Sequence, residues 1–138
     1  MKDHLLIRLS FIALGLAFIV VILGAYTRLK DAGLGCPDWP GCYGSLVVPH
    51  SLASQHIPIL FRGIPLDPLK AWAEMIHRYV AGSLGLLIFF ISLRAWQKRH
   101  HFSHSLTLPA LLSILVILQA TLGMWTVTLK LFPPVVMF

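Results

Sequence analysis

The sequence predicts an all-α integral membrane protein with three transmembrane helices. Of its 138 residues, 57% are hydrophobic and only 12% are charged, whereas a soluble domain carries about 25% charged residues. The apolar residues gather in three runs that can each cross a hydrocarbon core of about 30 Å. The length allows one domain at most, so residues 1–138 are treated as a single membrane domain.

The positive charge of the chain is explained by its membrane setting. The net charge is +6, from 11 Lys and Arg against 5 Asp and Glu. In a soluble protein this excess would suggest nucleic acid as a partner. Here the charges lie between apolar runs, where they anchor spans to the headgroups. We therefore expect a lipid bilayer and no nucleic acid as partner.

The first span is predicted at residues 9–27, between Arg8 and Arg28. A cleaved signal peptide is the alternative, but the apolar run is too long for its hydrophobic region and the following Gly-Ala-Tyr-Thr-Arg is a poor cleavage site. The third span is predicted at residues 106–129. Both runs are long enough to cross a bilayer.

The second span carries the most informative feature. Its apolar run, residues 79–93, would rise only about 22 Å as a helix, so the helix must begin near residue 71. This extension brings Glu74, His77 and Arg78 into the membrane end of the span. Ionisable groups at membrane depth are functional-site candidates.

The loops predict the topology. The short loop, residues 94–105, has 3 Lys and Arg, and the long loop, residues 28–70, has 4 spread over its length. Dense positive charge marks the cytoplasmic side, so the N-terminus and the short loop are placed in the cytoplasm and the long loop outside. The short loop also holds a histidine patch, for which we prefer a solvated basic turn over a metal site: His100, His101 and His104.

Two cysteines lie in the proposed outer loop, with Pro and Gly between them. The spacing of Cys36 and Cys42 favours a small disulfide ring, which an oxidising compartment would keep closed. Free thiols remain an alternative. A metal site that also uses His50 and His56 is a second, weaker one.

Glu74, His77 and Arg78 suggest a haem site or an interfacial cap. Glu74 has neighbours at i+3 and i+4 on a helix, and the His77 face continues through the small residues Ala81 and Gly85, which leave room for a helix or a porphyrin. A neutral imidazole is a common axial ligand of haem iron. Arg78 can pair with Glu74 or with a haem propionate. In the alternative, the three polar residues only pair with one another and anchor the helix end.

Two further candidates are weaker. Gln119 and Gly123 are i,i+4 neighbours in the third span, with Thr126 beyond them, so they line a pocket or simply pack against another helix. Arg28 closes the first span. It either extends its side chain to the headgroups or meets an anionic headgroup or a propionate.

Four motifs, in order, resemble the haem A synthase family of cytochrome oxidase assembly. They are Gly-Ala-Tyr-Thr-Arg-Leu at 24–29, Gly-Leu-Gly-Cys-Pro-Asp-Trp-Pro at 33–40, Glu-x-x-His-Arg at 74–78, and Gln-x-x-x-Gly-x-x-Thr-Val at 119–127, followed by Pro-Val-Val at 134–136. Each motif is weak alone, but the ordered set is specific and covers nearly the whole chain.

The resemblance implies a fold and an activity. Members have eight spans in two similar four-helix halves, and they oxidise a methyl group of haem O to the formyl group of haem A. One half carries haem b and the other is associated with the substrate haem O. By resemblance, Glu74 is tied to catalysis, His77 is a haem ligand, and Cys36 and Cys42 form a disulfide that bears on haem transfer or redox handling.

The resemblance also implies what this chain lacks. Its three spans form an incomplete four-helix half-bundle, because a fourth span begins at Pro133 and the sequence stops at Phe138. The partner haem-ligating His is expected just beyond, and the second half, with its haem b, is absent. We therefore expect a fragment of a longer protein, inactive alone.

The expected partners and location follow from the same family. Partners are haem O, the enzyme that produces it and oxidase assembly factors. A bacterial inner membrane is favoured over a mitochondrial one, because no transit peptide precedes the first span. The rival interpretations are a non-catalytic haem-binding or electron-transfer module and a structural assembly subunit.

Overall fold

The computed structural model describes residues 4–50, 57–61, 63–97 and 107–129. Within these ranges it contains three α-helices, a single 3-10 turn and no strand. Several residues discussed above lie outside the described ranges: His56, His100, His101, His104 and residues 133–138.

The three helices are α1 (His4–Leu29), α2 (Pro68–Gln97) and α3 (Thr107–Thr128). All three are long and apolar enough to cross a membrane. Their large apolar side chains point outward, as lipid-facing residues do; Phe18 in α1, Leu86 in α2 and Ile117 in α3 are each more than 60% exposed. The prediction of an all-helical membrane protein with three spans is confirmed.

The start of α2 is fixed by its own sequence. Pro68 occupies the first helical position, where a missing N–H costs nothing. The Asp67 carboxylate caps the helix by accepting the N–H groups of Leu69 and Lys70 at 3.1 and 3.2 Å. α2 therefore begins at Pro68, three residues before the predicted start.

α2 packs against both of the other helices, whereas α1 and α3 do not approach each other in the described chain. Near the N-terminal end of α2, the His77 ring lies against Gly24 of α1. Deeper along α2, Gly85 faces Val116 of α3, where an added Cβ would lie 3.4 Å from its Cγ1. This arrangement leaves α1 and α3 on two sides of α2.

The contact between α2 and α3 includes a hydroxyl pair at the far end. The Ser113 hydroxyl donates to the Ser92 hydroxyl at 2.9 Å, and the Pro109 carbonyl lies within reach of both, at 3.0 and 3.2 Å. Hydrogen bonds of this kind between spans stabilise helix association in membranes.

The long loop between α1 and α2 forms a small core on the N-terminal end of α2. The core is made of buried apolar side chains from the loop and the first turns of α2, with Phe61 of the 3-10 turn and Leu66 packed against it: Cys36, Cys42, Tyr43, Val48, Ile57, Ala71 and Met75. The loop is therefore folded, and it covers the first turns of α2.

Candidate functional site

The carboxylate of Glu74 is the buried centre of the site. The residue is 4% exposed, and it lies two turns into α2, under the loop. Its Oε2 accepts the backbone N–H of Cys36 at 2.9 Å. Its Oε1 forms an ion pair with Nη2 of Arg78, one helical turn away. Both carboxylate oxygens therefore have partners, as a buried charge requires.

Arg78 connects this carboxylate to the loop. While Nη2 contacts Glu74, Nη1 donates to the backbone carbonyls of Asp38 at 3.0 Å and of Gly41 at 2.6 Å. The Arg78 side chain is 12% exposed. Of the two partners predicted for Arg78, Glu74 and a haem propionate, the structure shows Glu74. A propionate contact stays a prediction.

A disulfide joins Cys36 and Cys42 and closes the segment between them into a ring. The expected disulfide is therefore formed, and the alternatives of free thiols and of a thiolate metal site are wrong. Among the described residues, no group of three or more His, Cys, Asp or Glu is placed to hold a metal ion.

The segment after the ring is held by Asp38 and Tyr43. The Asp38 carboxylate accepts the N–H groups of Tyr43 at 2.6 Å and of Gly44 at 2.8 Å. Tyr43 has a φ angle of 55° and Gly44 one of 77°. Of the two, only the glycine adopts such an angle without strain. The Tyr43 hydroxyl donates to the Pro65 carbonyl at 2.9 Å. Burial, and then the negative charge of Asp38, raise the pKa of Tyr43, so the phenol remains a donor.

The loop approaches α2 backbone to backbone at Gly35. A Cβ there would lie 2.6 Å from the carbonyl carbon of Lys70 and 2.7 Å from the nitrogen of Ala71. Real Cβ atoms do not come so close, so only glycine fits. This contact places the Cys36 N–H over Glu74.

His77 lies beside this cluster, between α1 and α2. Its ring is half-buried and lies so close to Gly24 that an added Cβ would meet Cε1 at 3.1 Å. Nδ1 is buried and has no hydrogen-bond partner among the described residues. The imidazole is therefore directed into the protein, and one of its nitrogens lacks a partner there.

The remaining predicted site residues are more open. Arg28 and Gln119 are exposed, and Ala81 is half-buried. Gly85 faces α3, whereas Gly123 has nothing within 4 Å of an added Cβ. In the described chain, the Gln119 and Gly123 face thus packs against neither α1 nor α2. Its predicted role in lining a pocket stays a prediction.

Residues 7–138 match the family profile described as cytochrome oxidase assembly protein. The chain belongs to this family.

Curated relatives agree with the assignment to the cytochrome oxidase assembly family. The chain is 50% identical over 132 residues to the haem A synthase of Shewanella oneidensis, covering 91% of the chain and 38% of the relative. It is 30% identical over 105 residues to the haem A synthase of Bacillus licheniformis, covering 75% of the chain and 29% of the relative. It is 29% identical over 135 residues to that of Cereibacter sphaeroides, covering 91% and 33%.

The chain thus spans about a third of the length of these relatives. No solved structure matches it.

The curated relatives are named haem A synthases, and one side chain of this site is of a type that can ligate haem iron. The buried, unpartnered Nδ1 shows that the described chain does not by itself satisfy the His77 imidazole. Most buried polar atoms have a partner, so an orphaned imidazole nitrogen fits a site at which a further group binds. Because Gly24 has no side chain, it leaves space for the His77 imidazole.

Three positions that shape the site were not predicted as site residues. Gly24 and Gly35 allow close approaches to α2, and Asp38 holds the segment that follows the disulfide ring. All three lie within the family motifs at 24–29 and 33–40. Their presence in those motifs was the only available signal, because hydrophobic periodicity carries no information about contacts between a loop and a helix.

Proposed function

We propose that this chain forms part of the substrate half of a haem A synthase, which oxidises a methyl group of haem O to the formyl group of haem A. The observation that carries the proposal is the 50% identity to the Shewanella oneidensis haem A synthase over 91% of the chain. The buried Glu74 and the partly satisfied His77 supply side chains suited to that chemistry.

In this proposal His77 would hold the haem through its iron. Oxidation of a methyl carbon needs redox chemistry that no side chain supplies, and a bound haem would supply it. The chain holds the imidazole between α1 and α2 against Gly24. Arg28, at the outer end of α1, is the candidate for a propionate contact. A haem b in the second half of the longer relatives is part of the same family expectation.

Glu74 is the proposed catalytic residue. It lies one helical turn from His77, is buried, and is held by the Cys36 N–H and Arg78. A carboxylate so fixed is suited to accept or return a proton at the reacting carbon, or to stabilise positive charge there. The loop core above it excludes water. Ala81 and Gly85 contribute small side chains along the same helix.

The proposed location is a bacterial inner membrane, with the N-terminus in the cytoplasm and the loop outside. The Cys36–Cys42 disulfide supports this orientation, because such bonds persist in oxidising compartments. Labelling of these cysteines by a membrane-impermeant maleimide in intact, reduced spheroplasts tests it; labelling only after lysis would reverse the assignment. Haem O-producing enzyme and oxidase assembly factors are the proposed partners.

A chimera tests the activity. Residues 1–138 replace the matching 38% of the Shewanella oneidensis relative, in a strain without its own haem A synthase, and extracted haems are separated by chromatography. We expect haem A from the chimera. Glu74→Ala should abolish haem A while haem stays bound, and Asp31→Ala, at an exposed position after α1, should not. Haem A formation by Glu74→Ala at the level of the unsubstituted chimera would refute the role of Glu74.

A further inference from the structure

Two separate hydrogen-bond routes connect the Cys36–Cys42 ring to Glu74. The first is direct, from the Cys36 N–H at the start of the ring to Oε2. The second passes through Arg78, whose Nη1 donates to the carbonyls of Asp38 and Gly41 while Nη2 contacts Oε1. The Glu74 carboxylate is therefore held on both oxygens by groups whose positions depend on the shape of the ring.

We propose that Arg78 is a positioning residue that holds the closed Cys36–Cys42 ring on the Glu74 carboxylate. Glu74 then keeps its place only while the ring keeps its shape. This assignment rests on the proposed function for the catalytic role of Glu74, but the contacts themselves do not depend on it.

The chemistry of the side chain explains why arginine occupies this position. A guanidinium presents its donors in a rigid planar fork, whereas a lysine ammonium is a compact charge on a flexible stem. Nη1 of Arg78 lies within reach of three ring carbonyls, those of Asp38 and Gly41 and, at 3.4 Å, that of Pro40, while Nη2 contacts the carboxylate. All three carbonyls lie inside the segment that the disulfide closes. They come within reach of one nitrogen because that segment is folded back on itself.

The two-way nature of coupling gives the proposal a measurable consequence. If the closed ring favours the Arg78 contacts, those contacts must favour the closed ring by the same factor. Loss of Arg78 should therefore make the disulfide easier to reduce. We expect a change of about tenfold in the equilibrium constant, which for this two-electron couple is about 30 mV.

The experiment is a redox titration of the 138-residue chain in detergent micelles. Dithiothreitol gives two electrons and two protons to the disulfide and closes to its own cyclic disulfide, so the ratio of its two forms sets the potential. Free Cys36 and Cys42 are then counted by maleimide labelling and mass spectrometry. The variants are Arg78→Gln, which removes the charge and the fork, and Arg78→Lys, which keeps the charge alone. The matched control is Arg94→Gln, at the opposite end of α2, where Arg94 lies over the Phe90 ring.

We expect Arg78→Gln to favour reduction about tenfold, Arg78→Lys to recover less than half of that change on a logarithmic scale, and Arg94→Gln to match the unsubstituted chain. An unchanged equilibrium for Arg78→Gln would overturn the proposal. Full recovery by Arg78→Lys would also overturn it, since a single positive charge would then suffice.

A second measurement needs no variant and so does not depend on whether one folds. The unsubstituted chain, either oxidised or reduced and capped with maleimide, is treated with phenylglyoxal, and modification of Arg78 is followed by mass spectrometry. The Arg78 side chain is 12% exposed with the ring closed, so we expect at least fivefold faster modification after reduction. Arg28 is exposed already and should react equally in both states. Equal rates at Arg78 would contradict the proposal.

Neither measurement uses haem. If Arg78→Gln shifts the disulfide equilibrium but the chimera makes no haem A, the proposed function is refuted and the role of Arg78 stands. Haem A formation with an unshifted ring would refute only the role of Arg78.

Discussion

At the scale of single residues, the site depends on how a buried charge is satisfied. Removing a carboxylate from water costs several kcal/mol unless partners replace the lost hydration. Glu74 obtains those partners from Arg78 and from the Cys36 N–H. Because Arg78 also uses Nη1 on loop carbonyls, the ion pair is joined to the loop. An interfacial cap, in which these polar residues pair with one another, remains the alternative prediction.

Helical spacing could predict only part of this cluster. Glu74 and Arg78 are i,i+4 neighbours, and their ion pair is one of the two pairings that the sequence predicts for Arg78. The contact between Glu74 and the Cys36 N–H joins residues 38 positions apart. It depends on the backbone path of the loop, which periodicity does not encode. The contact of His77 with Gly24 escaped for the same reason, since it joins two helices.

Gly24→Ala tests the packing of His77 at this scale. The added Cβ would meet Cε1 of His77 at 3.1 Å, so the ring must shift, and overpacking of this kind costs about 1–3 kcal/mol. Gly15→Ala is the control on the same helix, where an added Cβ has nothing within 4 Å. In thermal unfolding in detergent, followed by tryptophan fluorescence, we expect Gly24→Ala to melt at a lower temperature than Gly15→Ala. Equal melting temperatures would show that the ring does not occupy this position.

At the scale of elements, the loop and the first turns of α2 behave as one unit. The Asp67 cap and Pro68 start the helix outside the membrane run, and Gly35 brings the loop backbone against it. The apolar run at 79–93 and its insufficient length predicted that the helix must extend. They did not predict that the extension packs under a disulfide ring, because the loop has no periodic pattern of its own.

Gly35→Ala should separate the loop from α2. A Cβ at Gly35 would overlap the Lys70 carbonyl carbon at 2.6 Å, whereas one at Gly63, in the same loop, has nothing within 4 Å. Rigid backbone cannot yield as a side chain does, so we expect a loss of docking worth about 1–3 kcal/mol. Trypsin should then cleave after Lys70 several-fold faster in Gly35→Ala than in Gly63→Ala, with the exposed Lys30 as internal reference. Indistinguishable rates at Lys70 would argue against the observed backbone contact.

At the scale of the whole molecule, α2 contacts α1 and α3, which do not contact each other in the described chain. His77 lies on the α1 side of α2, near its N-terminal end, and Gly85 lies on the α3 side. The three spans and their order followed from the apolar runs, since lipid requires long apolar helices. The relative placement of α1 and α3 could not be predicted from these runs, because a uniformly apolar helix gives no indication of which face meets its neighbour.

The central claim is that His77 ligates haem iron within this membrane domain. The most direct measurement is the Soret absorbance and the oxidised-minus-reduced difference spectrum of the purified chimera described above, compared with those of its His77→Ala and His4→Ala variants. His4 is exposed at the start of α1, far along the chain from the site. We expect His77→Ala to shift or abolish the haem bands that an imidazole ligand would give, and His4→Ala to leave them unchanged. Identical spectra for His77→Ala and the unsubstituted chimera would contradict it.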